Sequence, residues 1–181
     1  MFEWNGKTQA GLPRIISVRQ AFNTSCTNIE TTIRSELNKP AIKKHLHPGL
    51  NAALAVGSRG IGRIDAIVRS VAEELKSQGL NVFIVPSMGS HGGATAEGQA
   101  AYLAGYNITE ETMGVPIRSS MEVVELGEVE KGVPIYFDKL AFEKADLISP
   151  INRVKCHTAF RGTVESGLYK MLAIGMGNHI G

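Results

Sequence analysis

Apolar residues in this chain fall into short buried-type runs separated by stretches of helical spacing, and the two patterns alternate from end to end. Residues 14–18 (Arg-Ile-Ile-Ser-Val) form a β-branched run suited to a first strand. Between 24 and 37, Ile29, Ile33 and Leu37 recur at helical spacing, and Pro40 ends the pattern. Residues 52–56 are a continuous apolar run that stops at Gly57, as expected of a strand buried on both faces. Ile64, Ile67, Val68, Val71 and Leu75 then predict an amphipathic helix closing at Gly79, and residues 81–85 a second buried strand before Pro86. Thr95 has the chemistry of an N-cap for a helix through Leu103, with Gly105 as its stop. Beyond Val115 the pattern becomes strand-like. Residues 121–124 and 133–137 flank a turn at 130–132, a short helix follows around Phe142, and a strand is expected at 146–148.

Strand–helix–strand order implies parallel strands joined by crossovers. The expected fold is therefore α/β: a mostly parallel open sheet with helices on both faces, Rossmann-like, as a single domain over residues 1–181. A composition of 43% hydrophobic and 20% charged residues excludes a disordered or fibrous chain. The balance of 19 Lys and Arg against 17 Asp and Glu gives a formal charge of +2, no footprint for nucleic acid. No run of eighteen apolar residues exists, so no membrane-spanning helix is expected, and the N-terminus lacks the layout of a signal peptide. The two cysteines, Cys26 and Cys156, stand in no metal-binding spacing, and a reduced cytoplasmic protein is the simplest reading.

The composition is unusual in having 20 glycines, many of them in short stretches placed where strands end, and ligands of open parallel sheets bind outside those carboxyl ends. Gly57-Ser58-Arg59-Gly60 follows the first buried strand. Its glycines let the backbone approach an anion, and Arg59 offers a planar fork for a carboxylate or phosphate; a tight turn with a surface arginine is the plainer reading. Gly89-Ser90-His91-Gly92-Gly93 follows the next strand, and its imidazole has no bulky neighbours to bury it. It can exchange a proton near neutral pH, or be simply a solvated loop histidine. The third stretch runs from Asn152 through His157 and Lys170 to Asn178-His179. His157 and His179 lie 22 positions apart, and the cluster could bind metal, run acid–base chemistry or anchor a cofactor through the amine, or be a solvated surface loop. His45 and His47, beside Pro48, read as structural or exposed.

Together, from about Leu54 to the last residue, these stretches resemble the nickel-dependent lactate racemase family. The resemblance implies a nickel-pincer nucleotide, a pyridinium mononucleotide carrying nickel, tethered covalently in the mature enzyme. By motif position, Lys170 resembles the tethering lysine and His179 the nickel ligand. His91 and His157 resemble the two acid–base histidines, and Arg59 the arginine that holds the substrate carboxylate. Ser58, Ser90, Gly92 and Gly93 are the expected cofactor contacts. The resemblance further implies a small-molecule 2-hydroxy acid as substrate, cofactor-maturation enzymes as partners, and a further C-terminal domain that completes the cleft. By the same resemblance, residues 1–181 are the N-terminal domain of a longer enzyme, lacking the cofactor and inactive alone.

The sequence departs from the lactate racemases at Val56 and Gly60, where those enzymes carry Asp and Pro. The interval from His157 to Lys170 is longer than theirs and that from Lys170 to His179 shorter, and the departures point to a 2-hydroxy acid other than lactate. Two other readings remain at this stage. One is a nucleotide-binding module with spectator histidines. The other is a hydrolase with His91, His157 and His179 around a metal, against which stands the lack of Asp or Glu close to those histidines in sequence.

Overall fold

The computed structural model describes residues 17–19, 21, 27–58, 60–130, 132–157, 159 and 161–181. Its centre is a three-stranded, wholly parallel sheet of order β2-β1-β5, built from β1 (Asn51–Val56), β2 (Asn81–Pro86) and β5 (Leu147–Ile151). The parallel β1–β2 pair needs a crossover, which the helix α3 (Ile64–Ser77) supplies. β5 returns to the other side of β1, so the chain changes direction across the sheet at β1. Among the described residues the parallel sheet is smaller than a full doubly wound fold. The other two strands, β3 (Val123–Val129) and β4 (Val133–Asp138), form a separate antiparallel hairpin with a register shift between Glu125 and Gly127.

Both faces of β1 are fully buried, which is why it reads as an unbroken apolar run. Ala52, Leu54 and Val56 face Val68, Ala72 and Leu75 of α3, with Leu103, Ile108 and Met113 closing the same core. Ala53 and Ala55, with Phe83 and Val85 of β2, face Ala141 and Met176 on the opposite side. Ala141 belongs to α6 (Lys139–Lys144), so helices do lie on both faces. Among the described residues, no helix is long and apolar enough to cross a membrane.

Several expected boundaries move. The strand expected at 14–18 lies outside the described residues except for 17 and 18, which have no regular structure. The first helix, α1, runs over Ile29–Leu37 rather than from 24, because Asn28 caps it by accepting from the Thr31 amide. Pro40 both follows that helix and opens a second, α2 (Pro40–Lys43), at a position where its missing N–H costs nothing. Thr95 caps α4 (Ala96–Ala104) as expected, accepting from the Gly98 amide. An unexpected short helix, α5 (Glu110–Met113), starts at a reciprocal Thr109–Thr112 cap. β3 extends five residues past the expected 124, and β5 spans 147–151 rather than 146–148.

Candidate functional site

Val56, Pro86 and Ile151 end the three parallel strands at one edge of the sheet, and the segments that follow them meet there. They enclose a cleft of about 270 Å³ at the point where the strand order reverses, the expected ligand position in an open parallel sheet. Ser58 enters it from the segment after β1. Ser87, Met88, Gly89, Ser90 and His91 enter from the segment after β2, and Asn152 and Lys155 from the segment after β5. Lys170, Met171, Ile174 and Gly175 close it from α7 (Leu168–Lys170) and the π-type turn that continues it over Met171–Gly175.

The last of these segments is locked onto the loop after β2 by close backbone contacts. Ser87 is buried; its amide continues the sheet by donating to the Val56 carbonyl, and its hydroxyl donates to the Met171 carbonyl at 3.2 Å. The Gly89 amide donates to the Gly175 carbonyl. Gly175 has to be glycine, since a Cβ there would collide with the Ser87 hydroxyl and lie 2.9 Å from the Ser87 carbonyl oxygen. From the other side, the buried Gln99 of α4 donates to the Gly89 carbonyl at 2.7 Å. Its only sequence signal is a lone amide in a helix whose other residues, apart from Glu97 and Tyr102, are small or apolar. These contacts bring Lys170 into the same cleft as Ser90 and His91.

His91 is half-buried, with its ring centroid 6.2 Å from that of Tyr102. Its Nδ1 is buried without a hydrogen-bond partner among the described residues, which leaves Nε2 to face a ligand. Gly92 and Gly93, expected to contact a cofactor, are not in the lining. Gly92 instead allows the loop to pack on α4: it sits at φ +67°, and a Cβ would lie 2.6 Å from the Gln99 amide nitrogen.

His157 also stays out of the cleft lining, although its segment supplies Asn152 and Lys155. Its position is set by Glu165, which the sequence reading did not single out. Glu165 accepts from the His157 amide at 2.8 Å and the Gly162 amide at 3.0 Å, with Arg161 at 3.5 Å. The His157 amide first, then that of Gly162, hold the Glu165 carboxyl below the usual glutamate range. His157 Nδ1 accepts from the Ala159 amide at 3.1 Å, which places the proton of the neutral ring on Nε2.

His179 is exposed and outside the lining, on the turn after the buried Asn178. Arg59 lies outside the described residues. Among the described residues no three His, Cys, Asp or Glu side chains gather as a metal site, so His91, His157 and His179 are not brought together as one ligand set. His45 and His47 are exposed, in agreement with the sequence reading. The cleft lining holds Lys155, Lys170 and His91 and no carboxylate among the described residues, which suits an anionic ligand.

A family model described as the lactate racemase N-terminal domain matches residues 12–177. No curated protein matches the chain.

Proposed function

Because this chain belongs to the lactate racemase N-terminal domain family, we propose that it is the cofactor-binding domain of a two-domain racemase or epimerase acting on a 2-hydroxy acid. The observation that carries this reading is the convergence of Ser58, Ser90, His91 and Lys170, from three separate stretches of chain, on one cleft at the sheet's carboxyl edge. The C-terminal domain and the cofactor-maturation enzymes are the partners this reading requires, and the cytoplasm is its setting.

The implied group is a nickel-pincer nucleotide, and the cleft fits it on two counts. Lys170 is exposed at the cleft wall with no ion pair to a described residue, as an amine that must form a covalent link requires. The described lining also has no carboxylate to repel a phosphate. When bound, the group would supply a pyridinium ring as hydride acceptor. Lys170 would hold it, Ser58 and Ser90 would donate hydroxyls to it, and His179, on an exposed turn, would be its nickel ligand. Gly92 and Gly93 would serve it indirectly, by shaping the loop that carries Ser90 and His91.

The chain's own work is then to move a proton and to hold a carboxylate. His91, through Nε2, takes the substrate hydroxyl proton from one enantiomer; His157 would serve the opposite face once its Nδ1 is released from the Ala159 amide, since the neutral ring held as it stands carries its proton on Nε2 and can only donate there. One imidazole on each face of the substrate suits a reaction that runs in both directions. Arg59 would fix the carboxylate so that the planar keto acid turns without leaving.

The test is intact and peptide mass spectrometry of the chain co-expressed with its maturation enzymes. A nickel-dependent mass increase on the Lys170 peptide, absent in Lys170→Ala, is the expected result. An unmodified Lys170 in protein that still binds a mononucleotide would replace this reading with that of a nucleotide-binding module.

A further inference from the structure

We propose that Lys155 is a specificity-determining residue of the cleft, which holds an anionic oxygen group of the ligand beyond the carboxylate assigned to Arg59. The proposal rests on the reading of the cleft as a 2-hydroxy-acid site and goes beyond it in giving a role to a lysine that the motif pattern leaves unassigned. Lys155 lines the same cleft as Ser90, His91 and Lys170, two residues before His157 on the segment leaving β5.

Its charge is unspent. Neither Lys155 nor Lys170 forms an ion pair with a described residue, and no described residue of the lining is acidic. The carboxylate between the two lysines in sequence, Glu165, is occupied by the amides of His157 and Gly162 and by Arg161. Two unpaired ammonium groups on one concave wall raise the local concentration of anions and repel cations. A Lys170 amine turned into an amide-type link would lose its charge, leaving Lys155 the one cation of that lining among the described residues other than a protonated His91. The group it meets is a carboxylate or a phosphate. A second carboxylate on the hydroxy acid and the phosphate of the nucleotide share that chemistry, and different probes separate them.

The experiment is calorimetric titration of the full chain, without cofactor, with three probes: lactate, malate and nicotinic acid mononucleotide. Each is titrated into the parental protein, Lys155→Met, Lys155→Arg, and Lys139→Met as a control. Lys139 is paired with Glu122 and lies outside the cleft. A charge-assisted contact predicts that Lys155→Met weakens binding by about tenfold to a hundredfold while Lys155→Arg retains most of it. Loss confined to malate assigns Lys155 to the substrate's second carboxylate, and loss confined to the mononucleotide assigns it to the phosphate. Either outcome supports the proposal. Parental affinities in Lys155→Met for both anions, an equal loss in the Lys139→Met control, or no binding of any probe to the parental chain would each overturn it. Because the readout needs no loaded cofactor, it is independent of the mass increase on Lys170 that tests the underlying function.

Discussion

Asn178 donates through Nδ2 to Oδ2 of Asp138 at 3.1 Å, tying the last turn of the chain to the junction of β4 and α6 forty residues earlier. Both side chains are buried, at 1% and 2% exposure. The same Nδ2 lies 3.3 and 3.4 Å from the carbonyls of Ser120 and Glu122 just before β3, while Asp138 caps α6 by accepting from the Ala141 amide at 2.8 Å. One amide thus fixes where His179 sits relative to the hairpin and the sheet.

Removing that amide should be costly. Asn178→Ala takes the donor from the buried Oδ2 of Asp138 and from the Ser120 carbonyl, and should destabilise the fold by about 1–3 kcal/mol in denaturant unfolding. Asn178 also sits at φ +54°, so Asn178→Gly, which relieves the backbone, should lose less than Asn178→Ala.

Asp138 should give stability an unusual pH slope. Burial pushes its carboxyl above the usual aspartate range, against the pull of the Ala141 amide, Asn178 and the Leu140 amide. The folded state therefore holds the proton more tightly than the unfolded one. The resulting stabilisation is complete below the unfolded value of about 3.9 and is lost as pH rises through the folded value. Unfolding free energies of the parental chain minus those of Asp138→Asn should fall across that window and level off above it; a rise would reject the assignment.

Glu165 predicts the opposite slope at the His157 loop. Its carboxyl is held low, so the closed loop is favoured above the unfolded glutamate value of about 4.3 and opens as pH falls through the folded one. Glu165→Ala should speed amide hydrogen exchange at His157 and Gly162 at neutral pH, while exchange at Gly98, on the Thr95 cap, stays unchanged.

Gly175→Ala tests the closure of the cleft. The added methyl would be driven into Ser87, and overpacking of this kind costs about 1–3 kcal/mol. Ser87→Ala in the same chain removes the hydroxyl it strikes, so the double variant should recover part of the loss, read by thermal melting.

In cofactor-loaded full-length enzyme, His91→Ala and His157→Ala should each lower racemisation about 10²- to 10⁴-fold in both directions, the usual weight of a general acid or base. Lys170→Ala should abolish activity and leave the melting temperature near parental. His45→Ala and His47→Ala, both exposed and outside the cleft, should change the rate little. Near-parental rates in all four histidine variants would return His91 to the status of an ordinary loop residue.

What local pattern encodes was legible in the sequence alone. β1 and β2 are buried on both faces, so they appear as unbroken apolar runs. α3 buries one face, so its apolar residues recur at three and four, and Thr95 announces its helix through its own side chain. The pattern understates β3 because five of its seven residues are exposed and a register shift interrupts its alternation. The pattern understates β5 because it carries Pro150, which an edge strand of the sheet tolerates. The order of the glycine stretches after successive parallel strands was enough to place Ser58, Ser90 and His91 at one sheet edge. Which side chains share the cleft was decided only by tertiary structure, because contacts between distant segments set it. Ser87 on Met171 brings Lys170 inward, Glu165 holds the His157 loop while Lys155 lines the wall, and Asn178 on Asp138 leaves His179 exposed. Periodicity records whether a residue is buried, but the partner that buries it is chosen by packing across 8 to 84 positions of chain.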